Sequence, residues 1–180
     1  MAKVFNDYSR EQLKYAIDNF NWKRKVTSIA MHHTWQPNHS QWQGEKSMMG
    51  MWNYHVNTNK WSDIAQHLTI APDGRGWSGR DWNQSPASSN GFNGNTTEGP
   101  FMFEMVGDFD KGKDILEAEQ LETVLFTVAY LQHKFDLPLR SLKFHRHLNS
   151  PKTCPGSGID YEEFLKVLEE YKLNVLPSYL

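Results

Sequence analysis

The chain contains a single cysteine, Cys154. No internal disulfide can hold it together, so its 180 residues must fold by burial, hydrogen bonding and whatever ligand the side chains collect. That length is enough to bury a core, and residues 1–180 read as a single domain without repeats or a linker. The cysteine also sits where a packing thiol is rarely found. Lys143–Gly156 reads KFHRHLNSPKTCPG, a polar loop that carries His145, His147 and Lys152, with Pro151 and Pro155 stiffening the backbone. A second polar cluster, Met31–Trp35 (MHHTW), lies in the first quarter of the chain.

The segments between these clusters alternate in period. Tyr8–Phe20 predicts a helix, with Ser9 and Gln12 as a capping box and Leu13, Ile17 and Phe20 at helical spacing. Asn21–Lys25 reads as a polar loop, and Val26–His32 as a strand that delivers His32 at its end. Ser47–Asn57 predicts a second helix with Met48, Met51, Trp52, His55 and Val56 on one face. Ile64–Ala71 alternates like a strand, Pro72-Asp73-Gly74 is a turn, and Arg75–Gly79 returns as the other arm of a hairpin. Asp81–Pro100, rich in Asn, Ser and Gly, is a long loop of the kind that is functional or disordered. Phe101–Gly107 is an apolar strand interrupted by Glu104, and Glu117–Phe135 is the longest helix. Leu142–His145 is a short strand feeding the cysteine loop, and Tyr161–Tyr171 is a last amphipathic helix. The alternation predicts an α/β fold, a mixed central sheet flanked by helices.

By chemistry alone Cys154 has three possible roles. An inert core thiol belongs in an apolar run, which this loop is not. A nucleophile wants a base, for which His145 is available, but no third orienting residue is evident. A zinc ligand wants imidazole or thiolate partners from separate elements and a position left open for water. Thiolate with imidazole suits zinc better than magnesium or calcium, which prefer oxygen. Glu104 has apolar neighbours on both sides. It is either an edge-strand residue facing water or a buried carboxylate with a raised pKa, suited to act as a general base. Lys152 is either a solvated loop lysine or a fixed ammonium beside a developing oxyanion.

Composition excludes several classes. A formal net charge of −2 carries no basic footprint for nucleic acid. No apolar stretch is long enough to span a bilayer, and Met1–Arg10 lacks the apolar core of a signal peptide. Aromatic residues make up 13% of the chain, which serves either core packing or a groove for sugars and peptides.

Taken together, the motifs resemble the zinc-dependent N-acetylmuramoyl-L-alanine amidases, the amidase type 2 family shared by phage lysins and peptidoglycan recognition proteins. The resemblance runs from about Val26 to Gly156. It rests on Met31-His32-His33-Thr34, on Tyr54-His55-Val56-Asn57 with Trp61-Ser62-Asp63-Ile64-Ala65, and on Pro72-Asp73-Gly74-Arg75 with Gly79-Arg80. His145-Arg146 and Pro151-Lys152-Thr153-Cys154-Pro155-Gly156 complete it. The resemblance implies a peptidoglycan-recognition-protein-like fold with Zn2+ held by His32, His145 and Cys154 in a surface groove. Lys152 would polarise the scissile carbonyl, Glu104 would carry the proton, Gln66 could donate a hydrogen bond at the substrate site, and His67 would either line that site or pack within its strand. Many relatives carry tyrosine where this chain has Gln66, which cannot exchange a proton near neutrality. His33 and His147 are the neighbouring alternatives as ligands. The segments Trp77–Asn95 and Thr34–Trp42 are expected to wall the groove. The implied reaction is hydrolysis of the amide between N-acetylmuramic acid and L-alanine in peptidoglycan or a muropeptide. The enzyme is expected to be a monomer of the endolysin type, made in the cytoplasm and acting at the bacterial wall after release. A recognition module without hydrolysis, a cytoplasmic muropeptide-recycling amidase and a cysteine-nucleophile hydrolase are the competing readings.

Overall fold

The computed structural model describes residues 3–148 and 151–180. Among the described residues six strands form one sheet: β1 (Asp7–Tyr8), β2 (Lys25–His33), β3 (Leu68–Ile70), β4 (Gly76–Ser78), β5 (Glu98–Met105) and β6 (Leu142–Phe144). Their spatial order is β1-β4-β3-β5-β2-β6. β3, β5, β2 and β6 run parallel, while β4 and β1 continue the sheet antiparallel at one edge. The described residues also form four α-helices: α1 (Arg10–Asn19), α2 (Glu45–Asn53), α3 (Ala118–Lys134) and α4 (Tyr161–Asn174). This is the mixed sheet flanked by helices that the sequence predicts.

The two faces of the sheet differ in what they bury. Ile29, Met31, Phe101, Phe103, Leu68, Ile70 and Phe144 join Leu13 and Ile17 of α1 and the apolar sides of α3 and α4 in the main core. Period-two alternation sends the intervening residues to the other face. There Ala30, Ala65 and Met102 form a thin layer under Trp61, Ala87 and Leu148. Small side chains on that face let loops lie close to the strands, and His32 and Glu104 lie further along it.

Several boundaries move from their expected places for local reasons. Ser9 caps α1, its hydroxyl accepting from Gln12 N at 3.3 Å while Gln12 Oε1 accepts from Ser9 N at 2.8 Å. An N-cap residue is not helical, so the helix starts at Arg10 and Tyr8 falls in β1. Two residues, Asp7 and Tyr8, are too short a strand to show a pattern. The second helix continues past Asn53 as a π-helical turn over Tyr54–Thr58. The strand expected over Ile64–Ala71 shortens to Leu68–Ile70. At its head Gly79 N donates to His67 O and Arg80 N to Gln66 O, bringing the returning chain against the backbone. A Cβ at Gly79 would lie 2.1 Å from Gln66 O, so glycine is required at this crossing. β5 begins at Glu98, inside the segment expected to be loop.

Candidate metal centre and its surroundings

The parallel strands β2 and β5 end side by side, with His32 in register with Glu104 and Glu104 in register with Thr69 of β3. β6 ends one residue before His145. In open sheets the crevice beyond the carboxyl ends of parallel strands is where ligands bind. His32, His145 and Cys154 meet there, each offering one ligand atom, and these atoms lie within 4.8 Å of one another. The rings of His32 and His145 have centroids 4.2 Å apart. Of the two histidines in the late loop, His145 is the one in the group. His147 is exposed, stacked on Phe144 at 5.6 Å and edge-on to Tyr161. His33 contributes its backbone instead, its N–H donating to Cys154 Sγ at 3.4 Å.

The cysteine loop is held from two sides. Arg146 N donates to Cys154 O at 2.8 Å, and its guanidinium reaches Gly156 O at 2.9 Å and Ile159 O at 2.7 Å. Asp110 accepts from Ser157 N at 2.7 Å and from Thr153 Oγ1 at 3.1 Å. Gly156 has φ +125°, and a Cβ there would lie 2.4 Å from Phe109 O, so the loop docks on the turn after β5 only with glycine at this position.

The electrostatics separate the possible roles of Cys154. Burial, opposed by the His33 N–H, pushes its thiol up to about 12. A thiol so held is protonated at neutral pH and is a poor nucleophile without a cation beside it. Burial, followed by the neighbouring His145, holds His32 well below the usual imidazole value, and burial with Lys152 lowers His145 to about 4. Both rings are therefore neutral and able to donate a lone pair. Two neutral imidazoles and a thiol that a cation would deprotonate are a donor set that fits zinc.

Glu104 lies on an interior strand, 8% exposed, not on an edge facing water. Burial pushes its carboxyl up to about 8, with the Lys152 charge opposing. Lys152 itself is exposed, and its charge lowers His32, His33 and His145 and opposes the rise of Glu104 and Cys154.

Three expectations need correction. His67 is fully buried, its Nε2 against Gln84 O at 2.9 Å and its Nδ1 accepting from Met102 N at 3.0 Å. With both ring nitrogens taken it is a strut between the long loop and β5, not a substrate-facing group. Gln66 is also fully buried, its Nε2 donating to Thr69 Oγ1 at 2.8 Å while its Oε1 has no protein partner. It reaches the site through Thr69, the register neighbour of Glu104, and offers no surface to a substrate. Within the expected groove walls, Trp82 is 7% exposed and stacks on Trp22 at 5.3 Å, so it serves the core. Trp35, 58% exposed just after β2, is an aromatic face open to solvent. Ser89, which no sequence pattern marks, has its Oγ 3.2 Å from His32 Nε2.

Comparison with known proteins gives the family and agrees with the fold. Residues 22–157 match the family of N-acetylmuramoyl-L-alanine amidases. The N-acetylmuramoyl-L-alanine amidase LysC from Clostridium intestinale superposes with a TM-score of 0.65 at 24% identity, covering 84% of this chain and 94% of that one. Drosophila PGRP-LB gives 0.62 at 22% identity, covering 76% and 78%. A mutant of PGRP-LB in complex with tracheal cytotoxin gives 0.64 at 23% identity, covering 77% and 79%. At these identities the structural likenesses speak to the fold. A search of the curated proteins gives no match.

Proposed function

The chain belongs to the N-acetylmuramoyl-L-alanine amidase family, and from that premise we propose that it hydrolyses the amide between the lactyl group of N-acetylmuramic acid and L-alanine in peptidoglycan. In this reading it is a single zinc-dependent catalytic unit of the lysin type, acting at the bacterial wall. The observation that carries the reading is the convergence of His32, His145 and Cys154 with the buried Glu104 in register beside His32.

His32, His145 and Cys154 would hold zinc. When bound, zinc supplies the positive charge that polarises the scissile carbonyl and acidifies a water in the open position. The protein's own groups carry the rest. In its carboxylate form Glu104, whose affinity for a proton burial raises, accepts the proton of the attacking water as the water oxygen bonds to the carbonyl carbon. It then returns that proton to the alanine nitrogen as the C–N bond breaks. The Lys152 ammonium offsets the charge that develops on the carbonyl oxygen. Cys154 stays a ligand throughout, consistent with a thiol that burial keeps from ionising alone.

The test is digestion of purified sacculi and of soluble muropeptides, with product termini identified by mass and metal content measured alongside. The expected result is about one zinc per chain, free L-alanine amino termini as product, loss of activity in chelator and its return with zinc. Full activity in chelator from zinc-free protein would reject the mechanism. Binding of muropeptide without any new termini would make the chain a recognition module.

A further inference from the structure

The connection from β4 to β5 contains no regular secondary structure over residues 79–97, yet it is tied to the core. Arg24, 2% exposed, donates from Nε to Asn95 O at 2.8 Å, from Nη1 to Pro100 O at 2.9 Å and from Nη2 to Asn93 O at 3.0 Å. Asn93 passes the hold onward, its Oδ1 accepting from Ser89 N at 2.9 Å. Phe92 N closes the turn on Ser89 O at 2.8 Å. A buried guanidinium at the start of β2 thus fixes a loop that presents Ser89, itself 2% exposed, to His32 near the end of the same strand.

We propose that Ser89 is the positioning residue for His32: its Oγ, 3.2 Å from Nε2, accepts a hydrogen bond from Nε2–H, fixes that tautomer and leaves Nδ1 with the lone pair to offer in the group with His145 and Cys154. A neutral imidazole has one N–H and one lone pair. Were the proton on Nδ1 instead, that nitrogen would have no lone pair to offer a cation. The serine hydroxyl can rotate to accept, and the surrounding loop keeps its oxygen in place. Metal-binding histidines depend on such a partner, and its loss weakens metal binding by roughly 10–100-fold. The inference rests on the zinc reading only for the use made of the freed nitrogen.

Three variants test it. Ser89→Ala removes the hydroxyl, Ser89→Thr keeps one, and Asn93→Ala releases the loop while leaving Ser89 intact. Nitrogen-15 chemical shifts of His32 in the metal-free protein report the tautomer. The native chain is expected to show Nε2–H, and Ser89→Ala a mixture of both forms. Competition with a chelator reports zinc affinity, expected to fall roughly 10–100-fold in Ser89→Ala, to be restored in Ser89→Thr and to be intermediate in Asn93→Ala. Thermal unfolding of metal-free Ser89→Ala, expected to match the native chain, separates positioning from a folding defect. An Nδ1–H tautomer in the native metal-free chain, or native zinc affinity in Ser89→Ala, overturns the proposal. Because the tautomer is read without metal, a native chain that binds no zinc would reject the zinc reading and leave the tautomer to decide this one.

Discussion

Glu104 has an expensive position. An interior strand surrounds it with apolar neighbours, and burial raises its carboxyl from the ordinary 4.5 to about 8. In the metal-free protein the sign of this shift makes it a cost. Above pH 4.5 the unfolded chain releases the proton, whereas the folded chain keeps it until about 8, so stability falls as pH rises through that window. Glutamine cannot ionise and has nearly the same shape. Glu104→Gln is therefore expected to retain about one zinc per chain and, without metal, to unfold at or above the native temperature at pH 8. Its kcat should fall roughly 10²–10⁴-fold, the usual worth of a positioned acid–base group. Metal analysis, calorimetry and kinetics on the same preparation check all three. A near-native kcat would give the proton to another group.

At the scale of elements, the long loop is the instructive case. Two buried guanidinium groups hold it, and both donate chiefly to backbone carbonyls. Arg24 takes Asn93, Asn95 and Pro100, and Arg80 takes Ile64, Asp63 and Ser85 at 2.8, 3.0 and 2.9 Å. Arg24→Met should strand those carbonyls and cost roughly 2–4 kcal/mol, since bonds to charged groups are worth more than neutral ones. A urea titration checks this, and a midpoint within error of the native one would mean that water replaces the guanidinium without loss. The sequence exposes β2, β5 and the long helices because apolar periodicity is local. The polar, proline-flanked loop makes Cys154, His145 and His147 chemically conspicuous, but the choice of His32 and His145 as partners of Cys154 comes from the family resemblance. The sequence does not expose Arg24, which sits in the polar run 21–25 and shows no sign of burial. Nor does it expose Ser89, whose contact with His32 spans 57 residues. Gln66 misleads, and His67 stays undecided between lining the site and packing in its strand, for the same reason: only the tertiary packing shows that they bond inward.

Across the whole molecule, six histidines, at positions 32, 33, 55, 67, 145 and 147, are held below the ordinary 6.5, in each case chiefly by burial. His67 is lowered to about 3 and His55 to about 4. Below pH 6.5 the unfolded chain takes up protons on these rings, while the folded chain refuses them until its own lower values are reached. The histidines' contribution to stability is then complete above about 6.5 and lost as pH falls, opposite in sign to that of Glu104. The slope approaches 1.4 kcal/mol per pH unit for each fully buried ring. His67 alone should account for roughly 2 kcal/mol between pH 6.5 and 5. Zinc would add its own pH dependence through its ligands, so the measurement belongs in chelator, with urea midpoints taken from pH 7.5 to 5. His67→Gln can accept from Met102 N and donate to Gln84 O without titrating. It is expected to flatten the native slope by about one proton's share, whatever it costs in absolute stability. Parallel native and variant slopes would show that His67 takes up its proton in the folded state and that the acid lability lies with the other rings. If the share is found, the imidazole that ties the long loop to β5 also helps confine the fold, and with it the His32–His145–Cys154 group, to neutral and alkaline pH.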